Sequence, residues 1–239
     1  MNILAIETTG AEASVATINE KKEVIMVASD QKMNHLQNLM PMVDILLEKS
    51  GMSIDDLDYI AVSEGPGSFT GIRIGVSSAR ALAQALRLET IGVPTLKTFL
   101  YNAPGYRGVI CPIFDARRSQ VYGGAYQWDG DGGAGEVVPG GAYDLGELLV
   151  KLEAVTDEIT FFGDGIAVYG EQIMKWQDSS FNNNIRVLFA EDDIRLQKAS
   201  SVARLALDIF LADGKKSLYD LKPVYMRKAE AERKLEGKT

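Results

Sequence analysis

The chain has 239 residues, of which 46% are apolar and 24% charged, a composition typical of a globular protein with a sizeable core. Its net charge of −8 argues against free-standing nucleic-acid binding, although contact with RNA inside a complex stays open. The single cysteine, Cys111, excludes an intrachain disulfide, and the single histidine, His35, excludes a metal site built from histidines.

The N-terminal stretch predicts a cytoplasmic protein. Met1 leads directly into "NILAIE", which has neither the basic nor the long apolar segment of a signal peptide. The apolar runs of the chain are too short to cross a bilayer, so no membrane association is expected.

The first hundred residues alternate between strand and helix patterns. We predict strands at 2–9, 13–20, 22–29, 58–65 and 90–94, and helices at 35–51 and 70–88. This order is β-β-β-α-β-α-β, with three antiparallel strands first. It matches the ribonuclease H-like half of the actin-like ATPase (ASKHA) fold, an α/β class with two lobes that each hold a mixed sheet flanked by helices.

The second half has a similar but looser pattern. We predict strands at 108–115 and 120–128, a strand followed by a turn at 158–165, helices at 144–152, 167–176 and 199–214, and a solvated glycine-rich loop at 129–135. The turn formers at 102–108 suggest a boundary there. The chain is therefore divided into an N-terminal lobe, 1–104, and a C-terminal lobe, 105–239, with a closing helix and a charged tail. The two halves could be distant duplicates.

The glycine-rich stretch "GPGSFTGIRIG", 65–75, opens the second helix and has two interpretations. It could be a phosphate loop at a helix N-terminus. However, neither the Walker A nor the dinucleotide-binding pattern is present. A tight strand-to-helix turn, in which glycines permit positive φ and close backbone approach, is the favoured interpretation.

Several motifs, taken together and in order, resemble the TsaB (YeaZ) family. They are "ILAIETT…ASVA", "HLQNLMPMV", "SEGPGSFTGIRIGVSSARALA", "FDARRSQVY", "FFGDG" and "KPVYMRKAEA". The resemblance covers the chain from the first strand to the last fifteen residues. It implies a non-catalytic subunit needed to form the threonylcarbamoyl group on the adenosine beside the anticodon of tRNA. Such a subunit binds and activates the catalytic paralogue TsaD, together with the small ATPase TsaE, and meets tRNA only through the complex.

The resemblance also implies that the metal site of TsaD is missing here. TsaD holds its metal partly through two histidines four residues apart, and Thr95 and Phe99 stand at the matching positions. A threonine hydroxyl is a weak ligand and a phenyl ring is none. We therefore expect no metal, no cofactor and no catalytic residue. We also expect at best weak ATP binding, because Arg117 and Arg118 crowd the place where a second phosphate hairpin would be.

The first two helices are the predicted partner interface, because the second carries small residues every four positions: Gly71, Gly75, Ala79 and Ala83. This row could pack inside its own lobe or against an equivalent helix of TsaD. The apolar stripe of helix 35–51 is somewhat wider than a core needs, and Pro41 is expected to kink or strain it. The predicted interface residues are His35, Leu36, Leu39, Met42, Val43, Leu46, Gly71, Ile72, Gly75, Val76, Ala79 and Ala83. A homodimer through the same helices is possible in isolation.

The nucleotide positions of the actin-like fold are the remaining candidates. In the first hairpin these are Glu7, Thr8, Thr9 and Ser14, for which an ordinary hairpin is favoured. In the second they are Asp115, Arg117 and Arg118, where a solvated turn is favoured and an anion or RNA contact stays open. "GDG" at 163–165 fits an adenosine-side turn or plain turn chemistry equally well.

Two other classes of function are compatible with parts of the sequence. A nucleotide-dependent kinase or ATPase of the actin-like fold is the alternative, but it needs a working second phosphate hairpin that the sequence lacks. A protease would have to use His35 as its only histidine base, and no nucleophile is placed for it.

Overall fold

The computed structural model describes residues 1–29, 35–117, 119–130, 133–179, 185–213 and 221–227. Ten strands form two five-stranded sheets. The first sheet contains β1 (Asn2–Glu7), β2 (Ser14–Asn19), β3 (Val24–Ala28), β4 (Tyr59–Gly65) and β5 (Glu89–Pro94). The second contains β6 (Val109–Asp115), β7 (Gln120–Trp128), β8 (Ala134–Asp144), β9 (Glu158–Phe162) and β10 (Arg186–Phe189). The helices are α1 (His35–Ser50), α2 (Phe69–Leu86), α3 (Leu145–Glu153), α4 (Ile166–Ser179) and α5 (Ala199–Asp213), with 3-10 turns at Ile54–Asp56 and Thr95–Asn102.

The two sheets have the same topology. Their strand orders are β3-β2-β1-β4-β5 and β8-β7-β6-β9-β10. In each, the first three strands pair antiparallel, and the fourth and fifth join in parallel. This repeat confirms the predicted two-lobed actin-like fold and agrees with distant duplication of the halves.

Helices cover both faces of the first sheet. Successive side chains of a strand point to opposite faces, and those of β1 are apolar on both. Leu4 and Ile6 point to the face where α1 and α2 pack. Ile3 and Ala5 point to the opposite face, where α5 packs. The division at residues 104 and 105 stays a prediction. That division places α5 in the second lobe. In the structure α5 packs on the first sheet, because its apolar side chains cover the face formed by Ile3 and Ala5.

The second sheet has α3 and α4 on one face and the 3-10 helix Thr95–Asn102 on the other. This 3-10 helix also contacts α5. Its buried side chains form one apolar cluster with those of the second sheet, so the two lobes share this part of the core. The sequence did not predict β8 or β10. Strand β8 contains Pro139 and several glycines, which an edge strand tolerates and which imitate a loop in the sequence. Strand β10 has only four residues.

Candidate functional site

The glycine-rich stretch 65–75 forms a tight turn between β4 and α2. Gly65 has a φ of 122°, and a Cβ there would overlap the carbonyl oxygen of Val224. The backbone N–H of Ser68 donates to the carbonyl oxygen of Thr9 at 2.8 Å, and the Ser68 hydroxyl caps the first turn of α2. Contacts with the chain itself therefore account for these glycines, which supports a structural turn over a phosphate loop.

The polar residues of the first hairpin are buried and hydrogen-bonded within the chain. The Glu7 carboxylate accepts hydrogen bonds from the backbone N–H and hydroxyl of Thr9, at 2.5 and 2.6 Å, and from the hydroxyl of Ser63. The Thr8 hydroxyl donates to a carbonyl oxygen at the start of α2 at 2.8 Å. The Ser14 hydroxyl accepts from the first backbone N–H of α5 at 3.0 Å. Thr8 thus ties the β1–β2 hairpin to α2 and Ser14 ties it to α5, which favours the ordinary-hairpin interpretation.

The small-residue row of α2 faces the interior of its own lobe. A Cβ on Gly71 would overlap the backbone carbonyl oxygen of Thr8, and one on Gly75 would overlap the Thr8 hydroxyl. Ala79 and Ala83 have no exposed surface. The row therefore sets the close approach of α2 to the sheet, as in the intramolecular alternative, and its part in a partner interface stays a prediction.

The other predicted interface residues whose side chains the structure describes are also internal. They are Leu39, Met42, Val43, Leu46, Ile72 and Val76, each 5% exposed or less. They form one cluster with the first sheet, so their apolar area is already buried in the folded chain. The side chains of His35 and Leu36 lie outside the described part of the structure. Helix α1 runs unbroken through Pro41, which is exposed.

The exposed residues of α1 and α2 are different ones, and we call them together the α1–α2 outer surface. On α1 it contains Met40 and Ile45, which are 40% and 43% exposed. On α2 it contains a second row of small residues spaced by four: Ser77, Ala81 and Ala85, all at least partly exposed. The sequence analysis did not include this row in the predicted interface, although its residues have the same four-residue spacing. The interface was assigned to the longer row that contains the glycines.

Thr95 and Phe99 lie in the shared core of the two lobes. The Thr95 hydroxyl accepts a hydrogen bond from the backbone N–H of Gly65 at 3.2 Å. The ring of Phe99 is fully buried and packs 5.6 Å from the ring of Phe114 and 6.0 Å from that of Phe162, measured between centroids. Aromatic packing thus occupies the place where the resemblance would put a metal ligand.

The second hairpin is a turn stabilised by Asp115. The Asp115 carboxylate accepts hydrogen bonds from the backbone N–H of Arg117 at 2.7 Å and from the hydroxyl of Tyr169 at 2.8 Å. Burial, followed by this bond to Asp115, raises the pKa of Tyr169 to about 12. Arg117 has a φ of 63° and an exposed side chain. Arg118 lies outside the described residues, so the alternative of an anion or RNA contact at this turn stays open.

The turn at 163–165 also serves packing. Gly163 has a φ of 93°, and the backbone N–H of Gly165 donates to the carbonyl oxygen of Ile113 at 3.0 Å. A Cβ on either glycine would collide with that carbonyl group. Both glycines are therefore explained by the close contact between this turn and β6.

Within the described ranges, no group of three or more His, Cys, Asp or Glu side chains is arranged to hold a metal ion. Cys111 is fully buried, and burial raises the pKa of its thiol, so it is unsuited to act as a nucleophile. No helix in the described part of the chain is both long and apolar enough to span a membrane.

Comparison with known proteins gives consistent matches over nearly the whole chain. The family model described as TsaD, tRNA N6-adenosine threonylcarbamoyltransferase, matches residues 26–235. The tRNA threonylcarbamoyladenosine biosynthesis protein TsaB of Bacillus subtilis is 35% identical over 98% of this chain and 97% of its own. TsaB of Escherichia coli is 32% identical over all of both chains. The solved structure of YeaZ from Pseudomonas aeruginosa superposes with a TM-score of 0.74 at 25% identity, covering 94% of this chain and 99% of that one.

Proposed function

This chain belongs to the TsaB (YeaZ) family, and we propose that it acts as the non-catalytic subunit in forming threonylcarbamoyladenosine next to the anticodon of tRNA. In this role it binds the catalytic paralogue TsaD in a heterodimer, activates it, and works together with TsaE in the cytoplasm. The observation that carries the proposal is the full-length similarity to two TsaB proteins whose names state this biosynthesis.

Buried side chains support the proposal that this chain is not catalytic. Phe99 fills the core between the lobes with a side chain that has no ligand atom. Glu7 and Thr8, at the position of a phosphate hairpin, are engaged in hydrogen bonds within the chain. Both features favour a subunit that acts through contacts with other proteins over the alternative ATPase or kinase.

The α1–α2 outer surface is the proposed docking site for TsaD. The partner has a related fold, so it can offer an equivalent pair of helices. The exposed side chains of Met40 and Ile45 supply apolar area, and Ala81 permits close approach. The buried residues of α1 and α2, such as Leu39 and Val76, keep both helices fixed on the sheet. In isolation the same surface supports a homodimer.

Contact with tRNA is proposed to occur through the complex. The chain carries a net charge of −8, whereas independent RNA binding depends on neutralising phosphates with lysine and arginine. The affinity of the isolated chain for tRNA should accordingly be low at physiological salt.

Reconstitution tests the proposed function. Purified TsaD and TsaE of the same organism, with tRNA and a source of threonylcarbamoyl adenylate, should form the modified adenosine only when this chain is added. Modification at the full rate without this chain, or by this chain without TsaD, would refute the proposal. Tight ATP binding by the isolated chain, with a Kd below about 10 μM (roughly −7 kcal/mol), would favour the ATPase alternative.

A matched pair of variants tests the docking surface. Met40 on α1 and Met174 on α4 are 40% and 38% exposed, so an aspartate at either position should leave the fold intact. We expect Met40→Asp to weaken TsaD binding and slow tRNA modification, and Met174→Asp to change neither. If both variants bind TsaD like the wild type, the interface lies elsewhere.

A further inference from the structure

An aromatic clamp holds the guanidinium of Arg73 at the start of α2. The guanidinium carbon lies 4.1 Å from the centroid of the Phe69 ring and 5.9 Å from that of the Tyr225 ring. The two rings are themselves 4.7 Å apart, and Nε of Arg73 donates a hydrogen bond to the Tyr225 hydroxyl at 3.1 Å. We call these three residues the Arg73 clamp. The side chain of Arg73 remains exposed, so its orientation is fixed while its charge faces outward.

The C-terminal segment 221–227 builds one side of this clamp. Its first residue, Leu221, is 2% exposed in the core of the first lobe. The backbone N–H of Val224 donates to the carbonyl oxygen of Glu64 at 2.7 Å, and Nη1 of Arg227 donates to the carbonyl oxygen of Ala116 at 2.8 Å. The segment is thus anchored on both sides of Tyr225, and the ring of Tyr225 is placed by the tertiary structure.

Among the residues that the structure describes, neither Arg73 nor Arg80, which is also exposed on α2, forms an ion pair. An arginine stacked on aromatic rings loses less conformational freedom when it binds, and its remaining N–H groups suit a planar carboxylate or a phosphate. In a chain with a net charge of −8, an outward arginine held in this way indicates a site for an anionic partner.

The surroundings of the clamp favour a protein carboxylate. Arg73 lies four residues before Ser77 on α2. It therefore precedes the exposed row of small residues that continues through Ala81 and Ala85. This row of small side chains suits a helix packed against α2, whereas a phosphate backbone would be better served by a cluster of cations.

We infer that the Arg73 clamp is an electrostatic anchor for an acidic side chain on the partner that docks on the α1–α2 outer surface. This inference rests on the proposed function and extends it, because it makes the C-terminal segment part of the docking site. Tyr225 is a positioning residue, since it acts by holding Arg73.

The test is calorimetric titration of the full chain with purified TsaD of the same organism. Arg73→Ala should weaken binding about tenfold or more, and Arg73→Lys nearly as much, because lysine keeps the charge but lacks the planar group. Arg80→Ala is the matched control, since it removes an exposed charge from the same helix without touching the clamp. Its effect should stay below about threefold. Each variant should melt within about 2 °C of the wild type, because these side chains are exposed.

Two further measurements separate the clamp from general charge attraction. Tyr225→Ala should weaken binding several-fold although Arg73 is intact, and the dependence of affinity on salt should be shallower for Arg73→Ala than for the wild type. Binding of Arg73→Lys at wild-type strength, or equal losses for Arg73→Ala and Arg80→Ala, would overturn the inference while leaving the proposed function standing. A loss confined to tRNA affinity, with TsaD binding unchanged, would overturn it in favour of a phosphate contact. Failure of the wild-type chain to bind TsaD would refute the proposed heterodimer itself.

Discussion

Replacing Gly71 with alanine should strongly destabilise the protein, although alanine is the better helix former. The added Cβ would overlap the carbonyl oxygen of Thr8 and lie 3.0 Å from its carbonyl carbon. These backbone atoms belong to the residue that follows β1, and they cannot rotate away. Such overpacking costs about 3 kcal/mol. Moving the helix also weakens the hydrogen bond from the Thr8 hydroxyl to the Gly71 carbonyl oxygen, 2.8 Å long, at a cost of about 1 kcal/mol.

The gain in helix propensity offsets about 1 kcal/mol, which leaves a net loss of about 3 kcal/mol in the free energy of unfolding. For a chain of this size, such a loss lowers Tm by roughly 6 to 12 °C. Gly75→Ala should cost only about 1 kcal/mol, because its Cβ meets the side-chain hydroxyl of Thr8, which can rotate. Ser77→Ala, on the outward side of α2, should change the free energy of unfolding by less than about 0.5 kcal/mol.

Thermal melts of the isolated chain, followed by circular dichroism, measure this series. The expected order of Tm is Ser77→Ala highest, then Gly75→Ala, then Gly71→Ala. If the small-residue row faced a partner, Gly71→Ala would instead raise the Tm of the isolated chain through helix propensity. A Tm for Gly71→Ala equal to or above that of the wild type would therefore refute the packing of α2 on β1.

Three other predictions follow from buried groups. Ala79→Arg should abolish folding and not merely partner binding, because Ala79 is fully buried and the new charge would be unpaired; the soluble yield and Tm measure this. The free energy of unfolding should fall as pH rises from 10 to 12. The pKa of Tyr169 is about 12 in the folded chain and 10.0 in the unfolded chain, so between these values the unfolded chain loses this proton and the folded chain keeps it. Denaturant titrations at pH 9 and 11 should show this loss, and equal stability at both would contradict it. The thiol of Cys111 should react with a thiol reagent far more slowly in the folded chain than in denaturant, and similar rates would disprove its burial.

The elements of the first lobe could be predicted from the sequence because their signals are local. Apolar periodicity marked β1, α1 and α2, and glycine marked the turn between β4 and α2. Strand β8 could not be predicted in the same way, since Pro139 and its glycines are acceptable only at the edge of a sheet, which the pairing with β7 provides.

The candidate site was predicted only in part. The sequence identified the helices but left open whether the glycine-containing row of α2 faces the sheet or a partner. Two rows of small residues run along this helix, one through Gly71 and Gly75 and one through Ser77 and Ala81. Periodicity finds both rows, but it does not say which one faces the sheet.

The sequence by itself determined the fold class, the family, and the lack of a histidine-based metal site, because these depend on residue identity and order along the chain. Only the tertiary structure decided which side of α2 is buried, since Thr8 meets Gly71 from 63 positions away in the chain. The same holds for the Arg73 clamp, where Tyr225 approaches across 152 positions. Contacts between such distant residues arise when the sheet and the C-terminal segment pack together, and no local pattern encodes them.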